Sequence, residues 1–232
     1  MFARRIGHAG AALLSVVVIA GCTTAPAATP AAPKPEVRAT TATSATPASE
    51  LRAQMNRLLD EHVYLAMGAT NAALGGRSDE YKAAVAALDT NSSQLGGLIS
   101  AAYGDDAGKA FLDGWRRHIV MFVDYTNGVA TKDEAKKDKA VADLNQYAKD
   151  LADLLNAANG LPKDAVVGLV KSHAIALCSV IDLQGAGDRA SQYTKTRAAA
   201  DQVRQIADPL TEATVLKFPD KFAASAQVSA RP

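Results

Sequence analysis

The sequence predicts an all-α protein, a six-helix, mainly antiparallel bundle built from three helical hairpins of about 55 residues each. Apolar residues recur at helical spacing between positions 50 and 222, and β-branched runs with period two are absent. Glycine and proline clusters divide this region into six segments. His62, His118 and His173 are separated by 56 and 55 residues, which indicates an internal repeat.

The six helices are expected near 50–74, 78–102, 106–128, 133–158, 162–184 and 188–217. Their start signals are Ser78, a capping box from Thr131 to Glu134, and Pro162 in a first helical turn. Pro209 is expected to kink the last helix, because proline lacks a backbone donor. The predicted breaks are at Gly75, Gly76, Gly104, Gly128, the segment 159–162, Gly185, Gly187 and Pro219.

The repeats are predicted at 50–104, 105–160 and 161–218. Carrying the histidine offsets to the second helix of each hairpin aligns Leu88, Leu144 and Ala199. Several positions that share one offset favour repeated hairpins, and short connections favour a closed bundle. An open solenoid of stacked hairpins is the alternative architecture.

The N-terminus is typical of an exported lipoprotein. Residues 1–21 combine Arg4 and Arg5 with an apolar stretch that is short for a membrane span. The tetrad 19–22, Ile-Ala-Gly-Cys, resembles the bacterial lipobox, so Cys22 is expected to carry lipid such as palmitate. The alternative is an ordinary cleaved signal peptide in which Cys22 has no role.

Residues 22–49 are predicted to be a tether and residues 223–232 a disordered tail. Alanine, proline and threonine dominate the tether, and such a composition can neither pack a core nor hold a helix. The mature chain is therefore expected at the cell membrane or cell envelope, extracytoplasmic and anchored through the lipid on Cys22. A protein partner in the envelope is an open expectation. Nucleic acid is not expected as a partner, because the net charge is only +1.

Several motifs of the predicted bundle resemble one family. They are Tyr103-Gly104 followed by Ala107-Gly108, the three helical histidines, and the closing segment 218–222, Phe-Pro-Asp-Lys-Phe. Together they resemble an uncharacterised family of exported bacterial and archaeal helical proteins. The resemblance covers the whole predicted bundle. It implies the fold and the domain boundaries and carries no established activity.

The three histidines are the main candidate for a site. Each lies on an apolar helical stripe, so all three rings are expected to point inward. The second helix of each hairpin offers one polar residue at the repeat offsets. The expected pairs are His62 with Asn91, His118 with Tyr147, and His173 with Gln202.

Two interpretations of these pairs compete. In the first, His62, His118 and His173 converge on copper or zinc, and Asn91, Tyr147 and Gln202 orient the rings. In the second, the chain is a structural or interaction lipoprotein, and the polar residues satisfy buried imidazoles. Enzymatic activity is uncertain, and the sequence leans against it. A zinc hydrolase would use a zinc-bound water, but no general base or oxyanion hole is recognisable.

Overall fold

A computed structural model of the chain describes residues 46–223. This part of the chain contains seven helices and no strand, which confirms the all-α prediction. The predicted signal peptide, Cys22, nearly all of the tether and the tail beyond 223 lie outside the described residues. The helices are α1 (Pro47–Leu74), α2 (Ser78–Tyr103), α3 (Asp105–Thr131), α4 (Glu134–Asn159), α5 (Lys163–Ala186), α6 (Arg189–Lys217) and the one-turn α7 (Pro219–Phe222).

The start of α1 is set by a capping box. Thr46 Oγ1 accepts a hydrogen bond from the Ser49 backbone N–H at 3.1 Å, and Ser49 Oγ accepts one from the Thr46 N–H at 2.9 Å. Pro47 occupies the first helical turn, where its missing N–H costs nothing. The helix therefore begins at 47, within the last residues of the predicted tether.

Aspartate side chains cap the starts of α4 and α6. Asp133 Oδ1 accepts from the Lys136 N–H at 3.0 Å at the start of α4. The predicted capping box from Thr131 is therefore wrong, and the Thr131 hydroxyl donates instead to the Asn127 carbonyl. Pro162 is the residue before α5 rather than part of its first turn. α6 continues through Pro209 to Lys217.

Two of the predicted breaks are wrong, because Gly128 lies inside α3 and Gly185 inside α5. A Cβ atom at Gly128 would be 2.7 Å from Lys137 Cγ and 3.1 Å from the Lys137 nitrogen. Glycine there lets α3 and α4 approach closely rather than ending α3. The helix continues to Thr131 and ends at Lys132, whose φ of 55° is left-handed.

The six long helices form a closed ring. Each packs against its neighbours in sequence, and α6 packs against α1. Contacts between α1, α3 and α5 place these three helices at the centre. Connections of one to three residues make consecutive helices antiparallel neighbours. An open solenoid is excluded for the described residues, since its last helix would not reach its first.

α5 is the most apolar helix of the described part. An 18-residue window of it has a mean hydropathy of 1.7, so by length and composition it could cross a membrane. The core helix of a soluble protein passes the same test, and 39% of that window is buried inside the bundle. α5 contacts α1, α3, α4 and α6, as expected for a central helix.

Candidate functional site

The three predicted histidines meet inside the bundle. His62 lies on α1, His118 on α3 and His173 on α5, and their exposures are 1%, 3% and 7%. The ring centres of His62 and His118 are 5.5 Å apart, and those of His62 and His173 are 6.4 Å apart. The rings converge because each follows the inward face of one of the three central helices.

Four of the six imidazole nitrogens are buried without a hydrogen-bond partner. They are both nitrogens of His62, Nδ1 of His118 and Nδ1 of His173. A neutral imidazole has one donor and one acceptor nitrogen, so both kinds of group are unsatisfied here. Each such group costs about 1–3 kcal/mol when it is buried away from water. A cluster of this kind has capacity for a bound atom or molecule.

Burial keeps all three imidazoles neutral. It lowers the pKa of His118 to about 3, and His173 adds to that fall. It lowers the pKa of His173 to about 4, although the Gln202 carboxamide opposes the change. The pKa of His62 is also well below its ordinary value, through burial and the two neighbouring histidines. Neutral rings present free nitrogen lone pairs at pH 7.

Asn91 and Gln202 make the same backbone contact on different helices. Asn91 Nδ2 donates to the Leu58 carbonyl at 2.9 Å, four residues before His62. Gln202 Nε2 donates to the Leu169 carbonyl at 3.1 Å, four residues before His173. The Asn91 Oδ1 and Gln202 Oε1 atoms are buried and accept no hydrogen bond. Both carboxamides thus keep a buried, unpaired acceptor, and Gln202 lies close enough to His173 to raise the pKa of its imidazole.

Tyr147 takes a different position beside His118. Its ring stacks on the imidazole, with centres 4.9 Å apart and planes 16° apart. Tyr147 Cε2 would be 3.9 Å from a Cβ atom at Gly114, so the ring lies over α3 one turn before His118. Burial raises the pKa of the Tyr147 hydroxyl. Tyr147 therefore stays protonated and fixes the His118 ring by stacking.

Trp115 is a site residue that the sequence analysis does not single out. Its ring centre lies 4.6 Å from that of His62 and 4.5 Å from that of His118. Trp115 Nε1 donates to Ser92 Oγ at 3.2 Å, which holds the indole against both rings. Its position three residues before His118, on the same helix face, is the signal that could have found it.

The surroundings of the rings are almost entirely apolar. A cavity of about 40 Å³ adjoins His118 and His173, which is room for a water molecule or an ion.

Glu61 is the carboxylate nearest to His62 in sequence. It is 43% exposed and accepts a hydrogen bond from Asn91 Nδ2 at 3.1 Å. Cys178 is buried and unpaired, and burial raises the pKa of its thiol to about 12.

As the side chains stand, no group of three or more histidine, cysteine, aspartate or glutamate residues between 46 and 223 is arranged to hold a metal ion. Metal ligation by His62, His118 and His173 therefore stays a prediction.

Three comparisons of the chain with known proteins found no match. No family model matches the chain. No curated protein and no solved structure matches it either. The resemblance of the Tyr103-Gly104 and 218–222 motifs to exported helical proteins therefore stays an expectation.

Proposed function

We propose that this chain is a membrane-anchored, extracytoplasmic lipoprotein that binds a transition metal, copper or zinc, through His62, His118 and His173. The observation that carries the proposal is the convergence of three buried, neutral imidazoles with four unpartnered nitrogens. The anchor rests on the sequence pattern that ends at Cys22. The protein acts as a non-enzymatic binding protein for sensing, storage or delivery at the cell envelope.

The spacing of the rings is close to what one ion requires. With metal–nitrogen bonds of about 2.0–2.1 Å and tetrahedral angles, neighbouring ring centres lie roughly 5.2 Å apart. His62 and His118 are at 5.5 Å, and His62 and His173 are at 6.4 Å. Small rotations of the side chains bring the second pair to the required distance. Three histidine nitrogens leave a fourth position of zinc or copper for water or another ligand.

The free carboxamide oxygens suit the role of orienting partners. A histidine that binds a metal through one nitrogen usually donates its other N–H to a fixed oxygen. Asn91 Oδ1 and Gln202 Oε1 are buried acceptors that lack a donor. Pairing them with the N–H groups of His62 and His173 leaves one lone pair of each ring for the ion. Tyr147 orients His118 by stacking instead.

The threefold equivalence of the site supports three repeated hairpins. The donation from Asn91 to Leu58 recurs 111 residues later as the donation from Gln202 to Leu169. Tyr147 lies at the corresponding place beside Gly114, one turn before His118. We propose on this basis that the six long helices are three copies of one histidine-bearing hairpin, with α7 as a terminal addition.

The experiment is elemental analysis of the purified protein after exposure to zinc or copper and extensive dialysis. We expect about one metal per chain in the wild type and none in His118→Gln, because glutamine keeps the side chain polar without an imidazole. Trp115→Phe is the matched control, since it changes a neighbour of both rings and removes no ligand. Circular dichroism checks that each variant is folded. Metal retained by folded His118→Gln, or absent from the wild type, contradicts the proposal.

A second candidate is a structural or interaction lipoprotein whose histidines only pack the core. The contacts of Trp115 with His62 and His118 favour it, because aromatic packing also stabilises a buried imidazole. This candidate predicts no tightly bound metal. It also predicts a loss of a few kcal/mol of stability for each histidine removed.

A further inference from the structure

A larger cavity lies between α1, α2 and α3. Its volume is about 300 Å³. On α1 it is bounded by His62, which is 1% exposed, and by Ala73, which is exposed. These residues are about three helical turns apart. The cavity is therefore a cleft that leads from the bundle surface to the His62 ring.

α1 lines the cleft with alanine where its counterparts carry larger side chains. Ala66, Ala69 and Ala73 line it at 4, 7 and 11 residues after His62. The same offsets from the other two histidines carry larger residues, most of them buried. They are Phe122, Tyr125 and Val129 after His118, and Leu177, Val180 and Gln184 after His173. A cavity of about 310 Å³ also lies between α3, α4 and α5, but Lys171 and Asp182 line it and His118 does not.

The wall of the cleft is uncharged and mostly apolar, with the half-buried Tyr81 and the exposed Asn127 as further polar residues. None of the residues that line the cleft is aspartate, glutamate, lysine or arginine. The hydroxyls of Thr70 and Thr126 already donate, to Gln184 Oε1 and to the Phe122 carbonyl. His62 lines the cleft with two buried nitrogens that have no partner. Both nitrogens are buried as the ring stands, so a ligand engages one of them only when the ring turns toward the cleft.

We propose that this cleft binds a neutral, mostly apolar small molecule that forms one hydrogen bond with His62. A dry cavity of about 150 Å³ holds benzene, so twice that volume suits a bicyclic molecule of about ten non-hydrogen atoms. Binding at this site requires no metal and is a property of the metal-free protein, because the proposed metal complex occupies both His62 nitrogens. Carboxylates and ammonium groups are excluded, because the wall offers no opposite charge.

The test is titration calorimetry of the metal-free protein with three probes of one shape. We expect 2-naphthol to bind with a dissociation constant below about 1 mM. Naphthalene lacks the hydroxyl and should bind about 3- to 10-fold more weakly. 2-Naphthoate should bind at least about 10-fold more weakly than 2-naphthol, because its charge would be buried without a partner. Equal affinities for 2-naphthol and 2-naphthoate, or no binding of 2-naphthol, overturn the proposal.

One pair of variants locates the binding. Ala66→Leu places in the cleft the residue found four positions after His173, and it should abolish binding of 2-naphthol. Ala53→Leu is the matched control, because Ala53 is an exposed residue of the same helix and affinity should not change. Unchanged affinity in folded Ala66→Leu overturns the proposal.

A measurement on the wild type needs no substitution. 2-Naphthol should shift the methyl resonances of Ala66 and Ala69 in an NMR titration, and shifts confined to other methyl groups overturn the site. The titrations with 2-naphthol use the metal-free protein, so their outcome does not depend on whether the wild type binds metal. Failure of the ligand site and failure of the metal site are thereby distinguished.

Discussion

The stability of a His62→Leu variant distinguishes a binding site from a structural core. In the metal-free protein both His62 nitrogens are fully buried and unpartnered. Leucine removes these groups and keeps a side chain of similar size, so the variant should be more stable than the wild type. One unsatisfied group costs about 1–3 kcal/mol, which we take as the expected gain. For a domain of this size that is a rise in Tm of roughly 2–12 °C.

The assay is thermal and urea unfolding of both proteins in the presence of a chelator. Gln184→Leu is the matched control, because Gln184 is a buried polar residue whose partners are in place. Its Oε1 accepts from Thr70 at 2.8 Å, and its Nε2 donates to the Met67 carbonyl at 2.9 Å. This control should lose about 1–3 kcal/mol, since it removes two buried hydrogen bonds of about 0.5–1.5 kcal/mol each. A loss of more than about 1 kcal/mol in His62→Leu would refute the reasoning.

Two further predictions concern pH and helix packing. The folded pKa values of about 3 for His118 and about 4 for His173 lie below the unfolded value near 6.5, so the unfolded chain binds more protons. The free energy of unfolding of the metal-free protein should be constant above about pH 6.5 and fall at lower pH. These two residues account for a fall of roughly 4 kcal/mol between pH 7 and 5. Urea titrations that show no such fall contradict this prediction. Gly128→Ala should lose about 1–3 kcal/mol, since its Cβ would be 2.7 Å from Lys137 Cγ. Gly68→Ala, where nothing lies within 4 Å, should gain up to about 1 kcal/mol, and equal melting temperatures would contradict the packing argument.

Much of the fold could be predicted because helical periodicity and punctuation are local signals. The breaks at Gly76, Gly104, Gly160 and Gly187 coincide with positive φ angles, which glycine adopts without strain. Gly128 looks the same in sequence, but it serves a close contact between α3 and α4. That contact joins residues of two helices, and composition does not reveal which glycines end a helix and which let helices approach.

The candidate site was only partly accessible to sequence reasoning. The histidine offsets place His62, His118 and His173 on equivalent faces, and those faces meet because α1, α3 and α5 occupy the centre. The position of Trp115 against both rings depends on side-chain packing and on the Ser92 hydroxyl. The cleft beside His62 is lined by three alanines of α1, and alanine in a helix is too common to indicate a cavity.

The coordination of the bound metal tests the central claim most directly. X-ray absorption spectroscopy of the zinc- or copper-loaded protein should report three imidazole nitrogens at about 2.0–2.1 Å and a fourth ligand such as water. His173→Gln should lose one imidazole shell or the metal itself. A site of oxygen or sulfur ligands without imidazole would contradict the account, and so would a spectrum that is unchanged in the variant.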